Sequence, residues 1–475
     1  MRSGARAVFG ALLAATLVPT SPTYSAEKTA LDRYIAAPDP NYQYRLLNTV
    51  AGKANTAYVL EMTSQQWRTS EEVDRPIWKH WLTIVRPQYL ATSTSLLLVS
   101  GGSNEKPPPQ VNPVLTQLAL ATDSVVSEIR LVPNQPLVFT GDGNRRSEDA
   151  ITAYTWDKFL TTGDETWPLR LPMTKSVVRA MDTITSFCAS PDGGGIPIDK
   201  FVVGGASKRG WTAWTVAAVD KRVAGIIPAV IDLLNLEPSF EHQYRSYGFW
   251  APAIAEFERS GIMRWARTPQ FEELIHIEDP YSYRDRLIMP KLIVNSAGDQ
   301  YFLPDSSQFY FDELAGEKYL RYVPNTDHSL KGWYEDAAES ALTFYQAILT
   351  DAPRPRFAWN FADDGSIRVK TETKPDVVKL WQASNPRARD FRLETIGRTY
   401  TSSILSDLGN GLYVGKVAEP KQGWTAYFVE MTFPGPGPYP YKFTTGVRVT
   451  PDRLPFGPPP ELEQAVTRSA PAGER

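Results

Sequence analysis

The ten residues Phe201-Val202-Val203-Gly204-Gly205-Ala206-Ser207-Lys208-Arg209-Gly210 decide how the rest of the chain is read. An apolar, β-branched run enters a Gly-x-Ser turn, and a helix-competent segment, Trp211 to Val219, leaves it. A short continuous apolar run that ends in glycine suits a strand buried on both faces of a sheet. A strand turning sharply through serine into a helix is the setting of a nucleophile elbow, where small residues must flank a strained serine. Gly205 and Ala206 meet that need. The usual pattern places glycine two residues after the serine. Here Arg209 stands at that position and glycine follows as Gly210. On these residues alone, a plain strand–turn–helix with a serine N-cap is an equal reading.

A hydroxyl at neutral pH needs a base, and the base needs an orienting acid. The chain has four histidines, His80, His242, His276 and His328. His328 follows the strand-like run Tyr319 to Val323, in the polar loop Pro324-Asn325-Thr326-Asp327-His328-Ser329. Asp299 follows Leu292-Ile293-Val294, in Ala297-Gly298-Asp299-Gln300-Tyr301. Ser, then Asp, then His, each after a strand, is the chain order of α/β-hydrolase sites. Ser207 is therefore expected as nucleophile, His328 as base and Asp299 as orienting acid. Asp232, at the end of Ile226 to Asp232, ranks second as the acid. Asp327 adjoins the histidine too closely to orient it, and Asp305 reads as a helix cap. The other three histidines are expected to be packed or at the surface.

An oxyanion needs two donors aimed at it. The backbone N–H of Lys208 is expected to supply one. The loop Ser100-Gly101-Gly102-Ser103-Asn104, whose paired glycines allow close backbone approach, is expected to supply the other at Gly102. Lys208 and Arg209 are two cations at a helix N-terminus and oppose its macrodipole. Arg209 is expected to pair with a carboxylate such as Asp232, unless one of the two cations faces the site.

Outward from this center, strand-like and helix-like segments alternate from about residue 80, which implies a mostly parallel sheet wrapped on both sides. The α/β domain is expected over residues 27–352. Residues 233–285 break the rhythm: they hold no good strand and many aromatics, and read as a helical lid between two sheet strands. Gly101, with Tyr244 and Trp250 of that lid, is expected to contact substrate. After Asp351-Ala352-Pro353-Arg354-Pro355, short strands separated by turns suggest a β-sandwich over 355–452. Its tryptophans Trp359, Trp381 and Trp424 read as core rather than as a sugar platform. The Pro-rich residues 453–475 read as disordered.

Composition removes several functions. Lys+Arg is 50 and Asp+Glu 53, a net charge of −3, so no basic excess draws the chain to nucleic acid. A single cysteine, Cys188, forbids an intrachain disulfide and any multi-cysteine metal site. No metal or cofactor is expected. Arg2 and Arg6, the apolar run Ala7 to Val18 and the small residues before Ala26 form a Sec-type leader over residues 1–25. No later run is long enough for a membrane span. A secreted or periplasmic protein acting on a small molecule or short peptide is expected; its oligomeric state is not legible.

With these segments assembled, the chain resembles the PhoPQ-activated pathogenicity-related protein family. The likeness is carried by Gly204 to Trp211, by Val230-Ile231-Asp232-Leu233-Leu234-Asn235, by Gly298 to Ser306 and by Pro324 to Leu330. It implies an α/β-hydrolase fold with a serine-type site in an exported protein, and it leaves the substrate open. The elbow is also distantly similar to that of glucuronoyl esterases, with Lys208 in the place of an arginine. Three functions follow: a secreted serine hydrolase of esters or amides, with an exopeptidase of the prolyl-oligopeptidase type as a subcase; a non-enzymatic secreted regulator on the same scaffold; and carbohydrate binding through the C-terminal region.

Overall fold

A computed structural model describes residues 28–462. The expected leader lies outside the described residues. Nine strands build the first part of the central sheet: β1 (Gln43–Ala51), β2 (Asn55–Gln66), β3 (Ile77–Pro87), β4 (Thr94–Val99), β5 (Val126–Ile129), β6 (Lys200–Ala206), β7 (Val223–Ala229), β8 (Lys291–Ser296) and β9 (Lys318–Val323). Their order across the sheet is β1-β2-β3-β5-β4-β6-β7-β8-β9. β1 to β3 are antiparallel, and the strands from β5 through β9 run parallel. The exchange of β4 and β5 next to β6, the strand that leads into Ser207, gives the α/β-hydrolase arrangement expected from the sequence.

Both faces of the sheet are covered, which is why its central strands read as unbroken apolar runs. All six residues of β8 are buried. Side chains alternate between the two layers at period two. Val203 joins a core with Trp214 and Met173, whereas its neighbor Val202 joins one with Leu115 and Phe344. The loops after β6, β8 and β9 open at the same carboxyl edge and carry Ser207, Asp299 and His328. Residues 233–285, between β7 and β8, contain helices Leu236–Tyr247, Ala255–Arg259 and Pro269–Glu278 joined by 3-10 turns, and no strand.

Eight further strands follow: β10 (Phe357–Phe361), β11 (Ser366–Thr371), β12 (Val377–Asn385), β13 (Thr401–Ile404), β14 (Leu412–Lys416), β15 (Trp424–Phe433), β16 (Tyr441–Thr444) and β17 (Arg448–Thr450). β10-β11-β14 form one layer. The other layer, β16-β15-β12-β13 with β17 on β15, continues the central sheet. β16 pairs with β9 at Thr444 and Leu320, so a single sheet of 14 strands runs through both regions. The seam is both apolar and charged. The ring of Tyr319 stacks on Phe443 at 4.3 Å. Arg321, 1% exposed, donates to Glu430 at 2.6 Å and to Asp336, which also accepts from Lys442.

The Pro-rich segment departs from the expected disorder as far as it is described. The N–H of Phe456 donates to the carbonyl of Arg245 at 3.1 Å, the Phe456 ring lies on Gly248, and Leu462 is buried. This segment straps the C-terminal region onto the helical insertion.

A buried cation between two carboxylates is costly to remove, because the carboxylates remain without compensation. Arg321→Ala should lower unfolding free energy by about 3–5 kcal/mol, read by thermal or urea denaturation. A loss under about 1 kcal/mol, the range of surface pairs, would show that the seam does not depend on this triad.

Candidate active site

Ser207 has φ 56° and ψ −131°, a backbone that serine adopts only under constraint. Its N–H donates to the carbonyl of Ala229 at 2.8 Å, and its carbonyl accepts from the N–H of Trp211 at 3.0 Å. The elbow requires two glycines for lack of space. A Cβ on Gly205 would lie 2.7 Å from the carbonyl oxygen of Arg209, and one on Gly210 would lie 2.8 Å from that of Gly205. Gly210 thus faces Gly205 across the turn. That accounts for the glycine at the third rather than the second position after the serine. As the first residue of helix Lys208–Val219, Lys208 has a backbone N–H with no partner inside the helix.

The two cations after Ser207 are neutralised by an acidic pair that the sequence reading did not single out. Glu148 takes both guanidinium nitrogens of Arg209, at 2.8 and 2.6 Å, and accepts from Lys208 Nζ at 2.7 Å. Asp149 is 3.0 Å from the same Nζ. Burial acts to raise the Glu148 carboxyl, but Arg209 and Lys208 hold it down at about 2. Glu148 and Asp149 begin the helix Asp149–Thr162, so acids at one helix start meet cations at another, and both macrodipoles are served. The partner of Arg209 is therefore Glu148 rather than Asp232. The signal for it was present as Ser147-Glu148-Asp149 ahead of a helical run. Arg170, 1% exposed, fastens the elbow from below. It donates to the carbonyl of Lys208 at 2.7 Å, to Thr212 Oγ1 at 2.9 Å and to Glu278 of the insertion at 3.3 Å.

His328 Nδ1 lies 2.8 Å from Asp299 Oδ2. A carboxylate only accepts, so Nδ1 carries the proton and Nε2 is left as the acceptor. Asp299 is 3% exposed, and its other oxygen accepts from the N–H of Tyr301 at 2.8 Å. The backbone N–H of His328 donates to Gln300 Oε1 at 2.9 Å. The imidazole packs on the ring of Tyr301 at 4.4 Å and near Phe302 at 6.0 Å. Both aromatics also line the cavity at Ser207. The Tyr301 hydroxyl lies 3.4 Å from Asp149 Oδ2; burial, with the charges of Asp149 and Asp299, pushes it up to about 12, so it stays protonated.

The C-terminal region secures the loops that carry Asp299 and His328. The N–H of Leu393 donates to the carbonyl of Gly298 at 2.9 Å. Asn325, at φ 57°, exchanges two hydrogen bonds of 2.9 Å with the backbone of Tyr400. Arg389 donates to Asp305 at 2.5 Å and to Ser246 at 3.0 Å, and Asp305 meets His242 Nε2 at 3.0 Å. His242 is thus a structural histidine of the insertion. His80, fully buried, lies 3.0 Å from Ser64 Oγ and 3.1 Å from the carbonyl of Arg130.

The cavity at Ser207 measures about 50 Å³. Ser207, Lys208, Asp149, Arg170 and Tyr301 form its polar side; Trp156, Trp211, Leu233, Phe240, Ile254 and Phe257 form its apolar side. The insertion reaches the site through Leu233, Phe240, Ile254 and Phe257. Tyr244 and Trp250, expected there, instead pack on each other at 5.1 Å, and Trp250 lines a neighboring cavity. Gly101 and Gly102 do not line the Ser207 cavity either. They border a separate depression with Trp81, Lys106 and Leu131, and Gly101 is bare because the Arg209 guanidinium lies against it.

Asp232 accepts from the hydroxyls of Tyr310 and Tyr322, each at 2.5 Å, and makes no contact with a histidine. Burial pushes it up to about 7, and does the same to Asp279, which accepts from the N–H groups of Leu236 and Tyr281. Such groups hold in the folded state a proton that the unfolded chain releases near pH 4. The stability they confer therefore falls as pH rises from about 4 toward 7, and is level above that. Asp232→Asn should flatten this decline in melting temperature between pH 4.5 and 7.5, leaving the part due to Asp279. Equal slopes in the two proteins would contradict the assignment.

Comparison with known proteins gives one strong likeness and several distant ones. The profile of the PhoPQ-activated pathogenicity-related proteins matches residues 31–392. Autocrine proliferation repressor protein A of Dictyostelium discoideum is 38% identical over 457 residues, covering 90% of this chain and 92% of that protein. Among solved structures, acetyl xylan esterase 1 of Thermoanaerobacterium sp. JW/SL YS485 superposes with a TM-score of 0.46 at 14% identity, over 66% of this chain and 92% of that one. The glucuronoyl esterase of Solibacter usitatus gives 0.40 at 13% identity, over 67% and 91%. No helix among the described residues is long and apolar enough to cross a membrane. With its profile match extending over most of its length, the chain belongs to the PhoPQ-activated pathogenicity-related protein family.

Proposed function

We propose that this protein is an exported serine hydrolase that cleaves an ester or amide of a small or medium acyl compound. The observation that carries the reading is the 2.8 Å contact between Asp299 and His328, packed through Tyr301 onto the cavity of a serine held at φ 56°. Ser207 Oγ attacks the carbonyl carbon while His328 Nε2 takes its proton. Asp299 keeps Nδ1 protonated and stabilises the imidazolium that forms. The backbone N–H of Lys208, at the positive end of its helix, faces the developing oxyanion. His328 then returns the proton to the leaving oxygen or nitrogen, and a water repeats the sequence on the acyl-enzyme. The Lys208 ammonium is engaged by Glu148 and Asp149, so it braces the elbow rather than binding substrate charge. The apolar leader read from the sequence supports export.

A second reading, a regulator that works by binding, is favored by the relative named an autocrine proliferation repressor. The two separate on turnover. Wild-type protein should hydrolyse p-nitrophenyl acetate, and Ser207→Ala and His328→Ala should each lower kcat by about 10³-fold or more, with Asp299→Asn close behind. Asp232→Asn should change kcat by less than about tenfold. Undiminished turnover in Ser207→Ala, or a silent Asp299→Asn beside a damaging Asp232→Asn, would contradict these roles.

A further inference from the structure

The Ser207 cavity, at about 50 Å³, is about a third of the ~150 Å³ apolar cavity that holds a benzene. It can take little more than an acetyl group. One wall is Phe240, on the insertion helix Leu236–Tyr247 and 8% exposed. The same residue lines a second cavity of about 230 Å³, together with Trp250, Met263, Phe271 and Leu462. The Phe240 and Trp250 rings meet edge to face at 6.3 Å. One side chain is therefore common to the nucleophile's cavity and to an apolar space several times larger.

We propose that the two cavities are halves of one acyl-binding site, that Phe240 is the gate between them, and that the distal half takes the apolar tail of a medium-chain acyl group. This rests on the hydrolase reading above. The occupant follows from the lining. The interior of the distal cavity is aromatic and aliphatic. Of its three charged residues, Arg267 donates to Glu241 at 2.8 Å, and its backbone N–H donates to Glu237 at 2.8 Å. Phe240, Trp250, Met263, Ala266, Phe271 and Leu462 make up most of the lining, so a neutral tail is favored. A carbonyl seated at Ser207 with its first carbons in the small cavity reaches the distal one by extending past Phe240, which lines both. Rotation of that ring joins the two spaces without moving the backbone. Leu462 lines the distal cavity, so the strap formed by residues 453–462 contributes to the site. Each methylene buried there is worth roughly fourfold in affinity.

The test compares kcat/KM for p-nitrophenyl acetate and hexanoate. Phe240→Ala opens the partition and should raise the hexanoate-to-acetate ratio about tenfold or more. Adding Met263→Trp, which fills the distal half, should return the ratio toward the wild-type value. A folded Phe240→Ala protein with an unchanged ratio overturns the proposal; Phe240→Leu serves the same purpose if the alanine variant does not fold. A calorimetric titration of hexanamide into the Ser207→Ala protein needs no turnover. Met263→Trp should weaken that binding about tenfold, and equal affinity overturns the distal site. If wild-type protein hydrolyses neither ester, the hydrolase reading fails, and the titration alone decides whether the acyl site exists.

Discussion

The serine at φ 56° is the constraint on which the rest of the site depends. A non-glycine residue in that region costs on the order of 1–3 kcal/mol and persists only where its surroundings impose it. Here the imposition is visible. Gly205 and Gly210 let strand and helix touch, the Ser207 N–H is tied to the carbonyl of Ala229, and Arg170 holds the carbonyl of Lys208 from beneath. Placing Lys and Arg directly after the serine would work against the helix dipole. The fold answers by bringing the acidic start of a second helix against them. The strain at one residue and the charge at its two successors are thus met by neighbors from three separate parts of the chain.

The C-terminal region supplies the other half of the frame. It continues the central sheet, and it holds the loops of Asp299 and His328 through the Gly298 carbonyl and the Asn325 side chain. A hydrogen bond between acid and base retains its geometry only if both loops are fixed. Leu393 fixes one and Tyr400 the other, which gives this β-rich region a part in the site without requiring a ligand of its own. The salt bridge from Arg389 to Asp305 and the docking of Phe456 on Gly248 extend the same hold to the insertion.

The parts of this arrangement that were legible in the sequence are those written locally. Strand-like apolar runs closed by Gly-x-Ser, by Gly298-Asp299 and by Asp327-His328 give the strand ends and the residues on them. Long-range choices were not legible. Nothing in Lys208-Arg209 says that the partner is Glu148 rather than Asp232, because both lie distant in sequence and only the fold brings one of them close. The helix Leu236–Tyr247 turns Leu236, Phe240, Gln243 and Tyr247 inward, and the Gln243 amide donates to the carbonyl of Tyr301 at 2.7 Å. In that orientation Phe240 lines the Ser207 cavity and Tyr244 packs on Trp250. Gly101 reads as bare for a substrate's sake, whereas it is bare for the Arg209 guanidinium. The seam of the sheet rests on β16, whose alternating pattern does not specify the strand it joins. The helical character of the insertion, in contrast, follows from its composition, and the segment holds three α-helices and no strand.

The central claim is that Ser207 is an activated nucleophile, and covalent labelling tests it most directly. The intact protein, treated with a fluorophosphonate and digested, should carry one phosphonyl adduct on the peptide containing Ser207. His328→Ala should slow its formation, because the hydroxyl then lacks its base. An unlabelled Ser207 in folded wild-type protein, or the same adduct retained in Ser207→Ala, would contradict the account.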